Sequence, residues 1–113
     1  MQVDIQSRGF ELTGSLREHV RRRLACNLPA GDTAIQRVTV RLSDVNGPRG
    51  GEDKRCHIAV SLNGLPRLVI EDTEANLYVA IDRAAERAGR TLQRRLARRL
   101  RPAPAFPALA EDA

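Results

Sequence analysis

Apolar and polar residues alternate along residues 3–7: Val3, Ile5 and Ser7 fall on one side, Asp4 and Gln6 on the other. A period of two is the mark of a strand with one covered face. Gly9 and Phe10 break the pattern, and the spacing then changes. Leu16, Val20, Leu24 and Leu28 recur every fourth residue, which puts them in one stripe along a helix. Thr13 can cap that helix directly, or Ser15 can, with Glu18 closing a capping box. Pro29-Ala30-Gly31-Asp32 ends it in a turn.

Alternation returns over residues 35–43, with Val38, Val40 and Leu42 inward and Arg37, Thr39 and Arg41 outward. Residues 44–53 carry glycines, a proline and both charge signs, the composition of an exposed loop. That loop is expected to move in the free protein and to order on a partner. A third strand from Arg55 to Leu62 turns Cys56, Ile58, Val60 and Leu62 inward. Asn63-Gly64 predicts a two-residue hairpin with positive φ at both positions, and a fourth strand returns through Pro66-Arg67-Leu68-Val69-Ile70. Asp72 or Thr73 then caps a second helix that reaches about Leu100. Its apolar line is Leu77, Ile81, Ala84, Ala88, Leu92 and Leu96. Gly89 interrupts this helix at a cost of roughly 1 kcal/mol relative to alanine; it either marks the close approach of a neighbour or is tolerated. From Pro102 onward proline and alanine dominate, which predicts a domain over 1–101 and a disordered tail over 102–113.

The order is β-α-β-β-β-α. Strands that alternate need one face covered, and the two amphipathic helices are the only elements available to cover it. The expected fold is α+β, a four-stranded sheet with both helices on one face.

Composition narrows the function. The 113 residues suffice for one domain. Aromatic residues are only 3%, namely Phe10, Tyr78 and Phe106, so little is available for stacking bases of a single strand. Basic residues number 19 against 14 acidic, a formal charge of +5, and the isoelectric point near 10.5 favours a polyanionic partner. All the basic residues but Lys54 are arginine, which pairs bidentately with phosphate but is equally what a GC-rich genome encodes. No apolar run is long enough to span a membrane, and the N-terminus lacks the pattern of a signal peptide. Cys26 and Cys56 form no disulfide framework. A cytoplasmic protein with reduced thiols is expected, with no membrane partner.

The second helix carries most of the functional information. About 27 residues at ~1.5 Å each outrun a seven-residue strand at ~3.3 Å per residue, so one end overhangs the sheet. Arg83, Arg87, Arg90, Arg94, Arg98 and Arg101 fall at helical spacing in one stripe, and Arg95 and Arg99 add charge beside it. After Glu86 no acidic residue opposes them until Glu111. An ordinary solvated face interleaves both signs; this one does not. Arg17, Arg21, Arg22 and Arg23 add a basic stripe on the first helix, with Glu18 placed to pair Arg22, and the expectation is that the two stripes lie side by side around a positive groove. With few aromatics, the expected target is the phosphate backbone of folded RNA.

At these residues the chain resembles the hibernation promoting factor and ribosome-associated inhibitor family, also described as ribosomal subunit interface or sigma-54 modulation proteins. Over residues 2–96, two stretches carry the likeness: Glu11-Leu12-Thr13 with Leu16-Arg17 and Val20, and Leu77-Tyr78-Val79-Ala80-Ile81-Asp82 followed by Glu86-Arg87 and Arg90. The resemblance implies a fold similar to the double-stranded-RNA-binding domain. It also implies binding to the small ribosomal subunit, on 16S rRNA along the mRNA channel and across the tRNA sites, which blocks translation and protects idle ribosomes under stress. By position, Arg87, Arg90 and Arg94 match basic residues of the family that contact rRNA, and Tyr78 and Asp82 match its Tyr and Asp at the head of the helix. No second domain of the kind that pairs ribosomes is expected.

Two other classes compete. Catalysis would rest on Cys56-His57 with Asp53, His19 and Cys26. Adjacent residues of a strand point to opposite faces, so Cys56 and His57 do not share a site, and zinc usually takes four ligands at short spacing. No enzyme activity, small-molecule substrate, metal or cofactor is expected. A protein-interaction module that modulates a transcription or stress factor is the remaining alternative, using the long loop and the sheet's outer face (Arg37, Arg41, His57 and Ser61).

Overall fold

The structure, a computed structural model, describes residues 2–28, 34–44 and 54–100. The body of the loop, 45–53, and the tail, 102–113, lie outside the described residues. Along the chain come β1 (Gln2–Arg8), α1 (Gly14–Asn27), β2 (Ile35–Asp44), β3 (Lys54–Leu62), β4 (Leu68–Glu74) and α2 (Leu77–Leu100). The strands lie side by side in that order, β1 parallel to β2 and the other neighbours antiparallel. A parallel pair needs a crossover, and α1 supplies it.

Each alternating run turns its apolar side the same way. Val38, Val40, Leu42, Cys56, Ile58, Val60, Leu68 and Ile70 join Leu16, Val20 and Leu24 of α1 and Ile81, Ala84, Ala88 and Leu92 of α2 in one core. Val3, Ile5, Leu77 and Leu96 pack at its margin. Both helices therefore cover one face, as the alternation required. Ile35 is out of phase with Val38 yet buried, because the register with β3 slips between Ile35 and Arg37. One extra residue in a strand turns the following side chains over.

The local signals fared unevenly. Of the two caps offered for α1, Thr13 is used; its hydroxyl accepts from the Leu16 amide at 3.2 Å. For α2 neither Asp72 nor Thr73 caps, since both belong to β4, which runs on to Glu74. Asn76 does so instead, its side-chain oxygen accepting from the Tyr78 amide at 2.8 Å. The Asn63-Gly64 turn is wider than a two-residue hairpin, because the β3–β4 ladder closes at Val60 and Leu68. Pro66 has no amide proton for the ladder, and the Asn63 amide donates to Ala34 across β2. Gly64 has φ +74°, the left-handed region that glycine favours.

The helices run the same way, since His19 meets Asp82, Arg23 meets Glu86 and Asn27 meets Gly89 in step. A side chain at Gly89 would put its Cβ 2.5 Å from the Asn27 carbonyl oxygen. The glycine marks a close approach. Along β4, α2 runs in the opposite sense, with Arg83 beside Glu74 and Arg95 beside Pro66.

Candidate nucleic-acid interface

The α2 arginines divide into those tied to the fold and those left to solvent. Arg83 lies 3.6 Å from the Glu74 carboxylate. Arg87 donates to the Glu71 carbonyl at 2.9 Å and stands 3.7 Å from Asp72. Arg95 donates to the Pro66 carbonyl at 2.9 Å, so it fastens the helix to the β3–β4 turn. Farther along, Arg90 and Arg98 are exposed and make no side-chain hydrogen bond or ion pair among the described residues. Arg94 touches only Thr91 of its own helix, at 3.4 Å. Leu92 is fully buried and Leu96 is the last apolar residue of the line packed on the core, so Ala97 and Arg98 begin the overhang expected from the lengths.

Between the helices runs an ionic seam. Asp82 accepts contacts from His19 at 2.7 Å and Arg23 at 3.2 Å, and Arg23 also reaches Glu86 at 3.3 Å. Tyr78 packs edge-on against His19, with ring centroids 4.8 Å apart. Glu86 was the one acid opposing the stripe, and α1 has taken it. The free part of the stripe, Arg90-Arg94-Arg98, is left with no acidic partner among the described residues.

Arg17, Arg21 and Arg22 of α1 are exposed, Arg22 pairing with Glu18 at 3.6 Å. At about 100° per residue, Arg17 and Arg21 lie roughly 120–160° round the helix from its α2-facing line of Leu16, His19, Arg23 and Asn27. On α2, Arg83, Arg87 and Arg95 lie toward β4 and its turn, whereas Arg90 lines a hollow with Cys26 and Asn27 of α1. Arg17 and Arg21 therefore do not line a groove between the helices with the α2 stripe; the ionic seam runs along that line. Arg23, one more surface cation by its place in the α1 basic run, belongs instead to the seam. The signal that would have found it is its spacing of four from His19, with Asp82 and Glu86 at the matching interval on α2.

Cys56 and His57 point to opposite faces, as strand geometry demands. Cys56 is buried in the core, and desolvation, helped by the Asp72 charge, raises its thiol to about 12. A thiol held protonated is a poor nucleophile. No helix among the described residues is long and apolar enough to cross a membrane.

Residues 3–100 match the family described as sigma 54 modulation protein / S30EA ribosomal protein. The chain belongs to this family. Among solved structures it is similar to the N-terminal domain of Protein Y from Thermus thermophilus, with 30% identity and a TM-score of 0.69 over 83% of this chain and 98% of that one. A ribosomal subunit interface protein from Coxiella burnetii shares the fold at 18% identity, with a TM-score of 0.72 over 86% of this chain and 99% of that one. A search of curated protein sequences finds no match. Within the family's fold, Tyr78 and Asp82, two residues that carried the resemblance, do packing work in this chain: both sit in the seam that docks α1 on α2.

Proposed function

We propose that this protein is a ribosome-associated translation inhibitor that docks on 16S rRNA of the small subunit and holds the idle particle with its mRNA and tRNA channel occupied. The observation that carries this reading is the free stripe Arg90-Arg94-Arg98, stripped of its one acidic neighbour because Arg23 engages Glu86. Three guanidiniums at helical spacing on a rigid, partly overhanging helix suit the phosphates of a folded RNA. The family description, which names a ribosomal protein, supports a ribosomal partner. Arg83 and Arg87 flank the contact and orient it through β4, and Arg17, Arg21 and Arg22 supply a second, separate set of charges.

The test is a triple change, Arg90→Ala with Arg94→Ala and Arg98→Ala, assayed for binding to purified small subunits over a salt titration. None of the three packs in the core, and alanine is the better helix former, so the fold is expected to survive. Each neutralised phosphate contributes roughly 0.7–0.9 to the log–log salt slope, so the slope should fall by about two to three. The matching lysine triple keeps the charge and should keep most of the slope. Binding unchanged in the alanine triple would remove the rRNA-docking reading and favour the protein-interaction alternative.

A further inference from the structure

We propose that the outer face of the sheet is a second phosphate-binding surface, built by Arg8, Arg41 and Arg55, that grips an RNA strand other than the one under α2. The inference rests on the proposed function and extends it from one face of the domain to two.

Strand register assembles this surface. Gln6, Arg41, His57 and Glu71 stand in one cross-strand row, and Arg8, Ser43, Arg55 and Thr73 in the next. Arg8 and Arg55 are two strands apart, about 10 Å at ~4.8 Å per strand, with Arg41 between them one row away. The three line a hollow of about 480 Å³, together with His57 and Glu71.

The charges in this hollow are not balanced from within. Elsewhere on the sheet cations have partners: Arg37 lies 3.5 Å from Asp4, and Lys54 lies 3.0 Å from Asp44. Arg8, Arg41 and Arg55 have no side-chain partner among the described residues. Glu71, the one acid lining the hollow, sits 3.9 Å from His57, and its main-chain oxygen holds Arg87. The Nδ1 atom of His57 also lacks a hydrogen-bond partner. Like charges gathered on adjacent strands repel one another, so three guanidiniums with no side-chain partner among the described residues, set around one concavity, are a cost to the sheet. Such a local conflict is expected at a functional surface. The missing element is an anion.

An RNA backbone fits it better than a base or a small metabolite. The hollow holds no Phe, Tyr or Trp on which a base would stack, and its one flat ring, the imidazole of His57, lies beside Glu71. Guanidiniums spread over ~10 Å match successive phosphates along a strand rather than a single phosphate group. The surface also lies on the side of the sheet away from both helices, so one RNA segment cannot occupy it and the α2 stripe together. The domain would act as a wedge between two segments.

The experiment uses the full chain and purified small subunits, titrated in monovalent salt. Arg8→Gln, Arg41→Gln and Arg55→Gln together should weaken binding at least tenfold at about 100 mM salt and lower the log–log slope by about two to three; the matching lysine triple should restore the slope. If the glutamine triple melts below the assay temperature, the single variants Arg8→Gln and Arg41→Gln, both at exposed positions, read the same slope in steps of roughly 0.7–0.9. Binding within twofold of wild type at unchanged slope overturns the inference. When that result comes with a defective α2 triple, the proposed function still stands; when neither triple has an effect, both readings fall. A loss of affinity without a change in slope would assign the surface to a protein partner and also overturn it. So would selective displacement by inorganic phosphate against chloride at equal ionic strength, which marks a small-anion site.

Discussion

Gly89 and Cys56 are set by the immediate surroundings of single atoms. An alanine at 89 would gain helix propensity of about 1 kcal/mol, but its Cβ would meet a backbone oxygen of α1 at 2.5 Å. Backbone cannot swing aside as the end of a side chain can, so the helices must part. Gly89→Ala is expected to lose about 2 kcal/mol net, read from the urea midpoint of unfolding; an unchanged midpoint would overturn the close approach. Cys56 gives a pH dependence of definite sign. Its thiol is raised in the folded state to about 12, mainly by burial, from an ordinary value of 9.0. Folding thus favours the protonated form, and the stability tied to it is complete below pH 9 and drains away as pH rises toward 12. The slope should be roughly 1.4 kcal/mol per pH step in that window. Cys56→Ala should remove this slope even though the cavity lowers stability throughout. The inward phase with Ile58 and Val60 made the burial of Cys56 legible in the sequence. Nothing local distinguished the two explanations of Gly89, because the atom it approaches belongs to Asn27 on the other helix.

Among the elements, those that bury one face were legible and those held by polar contacts were not. Val38, Val40 and Leu42, or Leu16, Val20 and Leu24, announce their element because water penalises the wrong period. The second half of β4 does not: Glu71, Asp72, Thr73 and Glu74 are all polar, and pairing with residues 54–57, with Arg83 and Arg87 reaching in from α2, keeps them extended. That extension moved the start of α2 to Asn76. Asn76→Ala should cost about 1 kcal/mol through the lost cap, seen as a lower thermal midpoint, while Asn76→Asp should retain it. An alanine variant as stable as wild type would mean that the seam, not the cap, fixes the head of α2. The arginine stripe was legible as a period, but the division between Arg83, Arg87 and Arg95, tied to β4 and its turn, and the free Arg90, Arg94 and Arg98 required the neighbouring strand.

At the scale of the molecule, strand order was the missing quantity. Alternation says that β1 has an inner face; it does not say that β1 lies parallel to β2, which brings Arg8 beside Ser43 and near Arg55. The outer basic surface is therefore a product of topology and was only half visible, through Arg41 and His57. The same topology leaves β4 at an open margin of the sheet, where main-chain groups invite another copy to add a strand. Arg87 reaches back from α2 and occupies a carbonyl there, at Glu71, within the polar run Glu71-Asp72-Thr73-Glu74. A strand arriving from a second molecule would have to displace that guanidinium from the edge carbonyl. The tie from Arg87 to this edge carbonyl is thus placed to hinder edge-to-edge pairing between copies, besides fastening α2 to β4.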